Sequence, residues 1–301
     1  MSTKAYSFCI LLLILGKIAF SQNQVVEYRD LLYVDDLNIQ NDSLQRLSLC
    51  LPSTTDNYPL LVWIGGGAWS YVDRNLEMPF ARKMAKKGIA VASVGHRLSP
   101  AVWRDPKLSE GIQHPKHIED IASALRWLVN HASDYGFNPN YIFIGGYSSG
   151  AQLSMLIDLD KQYLKSKNLD PDLLKGVIAF SGTYDIEHYY QTFLNGNTPE
   201  LAETHVKAVF GNQLKQASAT EYLSNLKTPI LLVSDNNVIA YTQLFAKVLE
   251  DKGFDSFKTE YATELTHGQL WRSLSFDDES KYRDLIIEFI FNNIQDNKKG
   301  L

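Results

Sequence analysis

Residues Tyr141–Leu159 read YIFIGGYSSGAQLSMLIDL, and this stretch decides the fold. Gly146-Tyr147-Ser148-Ser149-Gly150 fits the pattern G-x-S-x-G. With Gly and Ser each near ~7% of residues, the pattern arises by chance in roughly one chain in ten of this length, so alone it decides nothing. Its surroundings do. YIFIGGY is short, apolar and stopped by glycines, as a buried strand is, and SSGAQLSMLIDL begins a helical pattern directly after it. Strand, sharp turn and helix around G-x-S-x-G form the setting in which the serine is a nucleophile. The serine must sit on a strained turn that lifts its Oγ above the sheet, and side chains two positions away on either side would strike neighbouring backbone. Only Ser148 has glycine at both −2 and +2, so the frame selects it over Ser149. The helix behind the turn adds partial positive charge and N–H groups without intrahelical partners. The N–H of Ser149 is then placed to meet a developing oxyanion.

Outward from this stretch, other short apolar runs end on Gly, Ser or Asp: PLLVWIGGG (59–67), GIAVASVGHRL (88–98), GVIAFSG (176–182) and PILLVSD (229–235), with LQRLSLCLP as an earlier strand. Runs of this kind are what central parallel strands look like. Helical patterns lie between them. HIEDIASALRWLVNHA (117–132) places Ile118, Ile121, Leu125, Leu128 and Val129 on one face, and AYTQLFAKVLEDKG (240–253) places Leu244, Phe245 and Val248 together. ESKYRDLIIEFIFNNI (279–294) closes the series. The alternation predicts an α/β fold, a mostly parallel central sheet with helices on both faces. Residues 184–223, aromatic and polar, form a small cap-like insertion over the C-terminal edge of the sheet, read either as a lid or substrate wall or as a packing pair of helices.

Three further parts of a site follow in chain order. LLVWIGGGAWS ends a strand on Gly65-Gly66-Gly67, and main-chain donors at Gly66 and Gly67 are candidates to share the oxyanion with Ser149. A base is expected after a late strand, and THGQLW behind FKTEYATEL supplies His267. The acid that orients it is Asp235 in VSDNNV, or Asp185 in FSGTYD after the preceding strand. SDNN also suits a helix cap or an Asx-turn. His114 and His117 stand i, i+3 apart but lack a third ligand, so they read as solvated residues at a helix start and no metal site is expected. His96, His131, His188 and His205 have weaker claims on catalysis.

The chain has 301 residues, 45% apolar and 21% charged, with a net charge of −5. That is ordinary globular composition. No basic cluster suggests a nucleic-acid partner. Residues 1–21 read as a secretory signal peptide: Lys4, an apolar run from Phe8 to Leu15, and Ala19 and Ser21 before a cut. The alternative is an uncleaved membrane anchor, but the run is too short to span a bilayer and Lys17 interrupts it, so no stable membrane association is expected after cleavage. Residues 22–301 are then one domain, secreted or periplasmic. Cleavage would leave Cys50 as the single cysteine, a buried core thiol with no disulfide partner.

Several segments together resemble one family. LSLCLP is similar to a strand L-D-L-Y-L-P, IGGGAW to I-H-G-G-A-W, and VGHRLSP to V-x-Y-R-L-S-P. The long block HPKHIEDIASALRWLVNHASDYGFNPNYIFIGGYSSGAQL and SATEYLSNLKTPILLV match as well. The chain resembles the α/β-hydrolase fold, in the branch of bacterial carboxylesterases that includes feruloyl and acetyl-xylan esterase-like enzymes, kynurenine formamidases and hormone-sensitive-lipase-like esterases. The resemblance implies a triad Ser148, Asp235, His267 and an acyl-enzyme route on a small-molecule ester, with no cofactor. Carbohydrate-linked esters come from the same analogy. Two departures stand out. Gly65 replaces the histidine of the oxyanion loop, and the acid loop has lost H-G and about two residues, so Asp235 aligns only with a gap. An arylformamidase-like amide hydrolase and a degenerate hydrolase that only binds are the alternatives.

Overall fold

A computed structural model describes residues 25–34, 44–53 and 57–299. The expected signal peptide lies outside the described residues. Among these, one eight-stranded sheet runs in the order β1-β2-β4-β3-β5-β6-β7-β8. The strands are β1 (Val25–Leu32), β2 (Arg46–Pro52), β3 (Tyr58–Ile64), β4 (Ala90–Val94), β5 (Phe137–Tyr147), β6 (Leu174–Phe180), β7 (Ile230–Asp235) and β8 (Phe257–Ala262). β2 pairs antiparallel with β1 and β4, and every other pairing is parallel. β1 escapes the apolar-run criterion because it is an edge strand, with Val26 and Tyr28 41% exposed.

The central strands are apolar throughout because both faces are covered. On β3, Leu60, Val62 and Ile64 enter one core and Leu61 and Trp63 the other. Helices α2 (Lys116–Asn130), α3 (Ser149–Leu159) and α5 (Ile239–Asp251) fill the first core. α1 (Met78–Ala85), α6 (His267–Ser275) and α7 (Lys281–Lys299) fill the second. α3 is buried along its whole length, which explains its apolar character all round. α2 turns Ile118, Ile121, Leu125 and Leu128 inward as its spacing demands. α5 corrects the expectation for its face: Thr242, Phe245, Ala246 and Leu249 point inward, and Leu244 is 38% exposed. The spacing i, i+3, i+4, i+7 of these four makes a continuous stripe, and Leu244 lies off it.

The parallel register brings the strand ends together at one edge. Trp63 and Ile64 of β3 lie opposite Gly145 and Gly146 of β5, and Tyr147 lies opposite Phe180 of β6. Over this edge the 184–223 segment folds as α4 (Ile186–Leu194), a π-helical turn (Ala202–Lys207) and a 3-10 stretch (Ala219–Asn225). Its Tyr189, Tyr190 and Phe193 pack on the core, while Gln191, Thr192 and most of 194–200 face solvent.

Candidate active site

Ser148 stands between β5 and α3 at φ 54, ψ −117. Its N–H donates to Phe180 O at 2.7 Å. A Cβ at Gly146 would lie 2.5 Å from the carbonyl carbon of Gly150, and one at Gly150 would lie 2.1 Å from Ile64 O. Three backbones therefore touch at the turn, and only glycine fits at −2 and +2. A Cβ at Gly66 would lie 3.2 Å from Ser148 Cβ, so the glycine loop after β3 runs beside the serine.

Backbone strain gathers at the same place. Among the described residues the non-glycine positions at positive φ are Asp30, Asn57, Ala68, Trp69, Ser148, Asn168 and Ser181. Asp and Asn tolerate that region; the other four are held there at a cost of about 1–3 kcal/mol each. Ala68, Trp69, Ser148 and Ser181 all line one cavity of about 60 Å³, together with Ser149, Thr183, Tyr189 and Tyr241. Tyr189 of the insertion is thus a wall of this cavity as well as a packing residue. Trp69 is fixed by Nε1 donating to Gln152 Oε1 at 2.9 Å and by the Phe210 ring at 4.9 Å.

On the other side of Ser148 a cavity of about 210 Å³ is lined by Gly66, Gly67, Tyr71, Leu76, Glu77, Tyr147, His267 and Trp271. His267 heads α6, whose start is fixed by a capping box of Thr266 and Gln269. Its Nδ1 lies 2.7 Å from Asp235 Oδ2. Asp235 is fully buried. Burial pushes its carboxyl up, but hydrogen bonds with His267 and Ser181 outweigh this and hold it below the usual range. It is therefore an ionised acceptor, and Nδ1 is the donor in this pair. His267 is gripped through its main chain too: its N–H donates to Asn237 Oδ1 at 2.9 Å, and Tyr147 OH donates to its carbonyl at 2.5 Å.

The structure thus brings Ser148, His267, Asp235, Gly66, Gly67 and Ser149 to one edge of the sheet and leaves Asp185 out. Asp185 caps α4, its Oδ1 accepting from His188 N at 2.9 Å. The Asx-turn anticipated for SDNN also exists: Asp235 Oδ1 accepts from Asn237 N at 2.8 Å. His114 and His117 correct the expectation of solvated residues. Both are buried, because the insertion closes over the start of α2, with His114 N donating to Val209 O and Gln213 Nε2 to His114 O. His117 Nε2 lies 2.8 Å from Ser99 Oγ. Cys50 is buried, and burial pushes its thiol up to about 12. No three potential metal ligands gather among the described residues, and none of their helices is long and apolar enough to cross a membrane.

Sequence reasoning missed Tyr147, Asn237 and Glu77. Tyr147 and Asn237 are polar neighbours of Ser148 and Asp235 in the chain, a signal open to reading. Glu77 gave a weaker one, an isolated acid ahead of the apolar MPFA.

The family model described as BD-FAE matches residues 47–246, more than half of the chain. The probable carboxylic ester hydrolase LipM of Mycobacterium tuberculosis is 31% identical over 136 residues, 44% of this chain and 29% of its own length. Esterase LipC of the same organism is 27% identical over 61% of this chain and 42% of its length. Kynurenine formamidase of Danio rerio is 26% identical over 58% and 56%. The matched chain thus spans only part of each of these relatives. Among solved structures, esterase B from Lactobacillus rhamnosis superposes with a TM-score of 0.76 at 18% identity, covering 92% of this chain and 89% of that one. A truncated carbohydrate esterase from gut microbiota gives 0.70 at 19%, covering 91% and 98%. Identities this low speak for the common fold: the chain has the α/β-hydrolase architecture.

Proposed function

This chain belongs to the BD-FAE family, and from that premise and the geometry of its site we propose that it is an exported serine carboxylesterase acting on small or carbohydrate-linked esters. The observation that carries the reading is the His267–Asp235 pair, 2.7 Å apart, facing the cavity onto which the strained Ser148 opens. His267 Nε2 takes the Ser148 proton as Oγ attacks the acyl carbon. The oxyanion forms beside the N–H groups of Gly66, Gly67 and Ser149, each such donor worth about 10²–10³-fold in rate. His267 then returns the proton to the leaving alcohol, and water clears the acyl-enzyme by the same route. Nucleophile, base and oxyanion donors all come from the chain, so the reaction needs no cofactor. The alcohol departs on the His267 side, where Tyr71 and Trp271 offer apolar faces to a ring. Export rests on the sequence of residues 1–21, with residues 22–301 as the mature hydrolase.

A fluorophosphonate probe and short p-nitrophenyl esters test the reading. Wild type labels at one residue and hydrolyses; Ser148→Ala does neither, with at least a ~10⁴-fold loss of rate. An inert wild type refutes the proposal and leaves a protein that only binds. The similarity to kynurenine formamidase favours amide hydrolysis as a second reading. Faster turnover of an aryl formamide than of the matched formate ester would select it.

A further inference from the structure

We propose that Glu77 is a positioning residue for this hydrolysis: seated beside Gly65, its carboxyl group ties the helix that carries His267 to the strand that ends in the oxyanion loop. The inference rests on the serine-hydrolase reading above. Glu77 is 3% exposed and forms no ion pair among the described residues. Its two oxygens accept from two indoles: Oε2 from Trp63 Nε1 at 2.8 Å and Oε1 from Trp271 Nε1 at 3.1 Å. Trp63 lies on β3, two residues before Gly65. Trp271 lies on α6, one turn after His267 and on the same helix face.

Burying a carboxyl group without a cation is costly: burial pushes Glu77 up from the ordinary carboxylate range, and the two indole donors offset only part of that. An apolar side chain would fill the same space with less penalty. What the carboxyl group adds is direction: a hydrogen bond fixes the rotation of an indole, where an apolar contact lets it slide. Fixing Trp271 fixes the rotation of α6 about its axis, and with it the His267 ring. Tyr147 and Asn237 hold the main chain of His267 at the helix start, and Glu77 holds the next turn. The run Trp63–Glu77–Trp271 therefore spans the gap between the oxyanion donors and the base. Gly65 belongs to the same device. A Cβ there would lie 3.0 Å from Glu77 Oε1 and 3.1 Å from its Cγ, so a side chain at position 65 would press on Glu77 and displace its carboxyl from this placement.

Glu77→Gln and Trp271→Phe test the device. The Gln amide accepts from one indole and turns its NH₂ toward the other; Phe keeps a ring and removes one donor. Turnover of p-nitrophenyl acetate is expressed per active site titrated with the fluorophosphonate, which separates rate from folded fraction. Each variant is expected to lose about 10- to 100-fold in kcat with KM within about threefold. The double variant is expected to be no slower than the slower single, since both cut one chain of contacts. A purely structural role would lower Tm and the titrated fraction and leave kcat per site intact. Trp271→Phe with kcat per site within about threefold of wild type overturns the proposal, whether or not Glu77→Gln folds. A wild type that neither labels nor hydrolyses overturns the serine-hydrolase reading, and this one with it, before any substitution is made.

Discussion

Asp185 and Asp235 follow neighbouring strands of one sheet, and the chain offers both as the acid behind His267. They end in different company. β6 stops at Phe180, five residues before Asp185, and by then the chain has left the sheet edge to begin α4. The Asp185 carboxylate meets the nearest free N–H, at the start of that helix. β7 runs to Asp235 itself, which pairs with Ala262 of β8. Its carboxylate stays at the strand end, beside the loop from which His267 emerges. The comparison shows that distance from the last ladder pair decides what a carboxylate reaches. It also dissolves an apparent choice: Asp235 makes the Asx-turn with one oxygen and meets His267 with the other.

The comparison breaks most directly at Asp235→Asn, which keeps the shape and loses the charge. A fall of about 10³–10⁴-fold in kcat is expected, read with p-nitrophenyl acetate; an undiminished rate would remove Asp235 from the proposed triad. Acid distinguishes the two regions next. His114, against the insertion, and His205, within it, are pushed down to about 4 by burial from the ordinary 6.5. The unfolded chain takes up these protons near pH 6.5 and the fold only near pH 4, so stability falls as pH drops through that window. The loss is on the order of 2 kcal/mol per histidine at pH 4.5. Asp235 works in a lower window: its carboxyl is depressed, so its contribution is present above its ordinary 3.8 and is lost below it. Hydrogen-exchange protection, corrected for the intrinsic rate at each pH, should therefore fall in 186–210 between pH 7 and 4.5 before it does around Asp235. Asn237→Ala, which removes one hold on the His267 main chain, is expected to slow turnover by about tenfold. Asp185→Ala is the smallest change: about 1 kcal/mol of stability lost with its helix cap, seen as a lower Tm, and kcat within about threefold. A larger kinetic loss would bring the β6 loop back into the chemistry.

The strand ends were legible because each leaves a periodic or punctuated trace. The turn that holds Ser148 was readable through two glycines whose absent side chains are a steric necessity, and the placement of His267 through its position after a late strand. The β1 edge strand was not, since exposure on one side removes the apolar run. Nor was the burial of His114 and His117, which depends on a segment some ninety residues later folding back over α2. Glu77 was hidden for the same reason: its partners Trp63 and Trp271 lie 14 and 194 residues away. A local pattern carries what a residue's own element requires. It carries little of what distant chain brings to it.

The turn at Ser148 has one more consequence. Every constraint on it is borne by main chain: Gly146 against Gly150, Gly150 against Ile64, Ser148 N–H on Phe180 O. The Ser148 side chain bears none of them and faces open space. The scaffold therefore fixes where the side chain at 148 stands and is indifferent to which atom it carries. Cysteine or aspartate at 148 should be carried in the same pose, while a single methyl group at 150 should prevent the turn from closing. The side chain at 148 is open to exchange, and the silent glycines beside it are not.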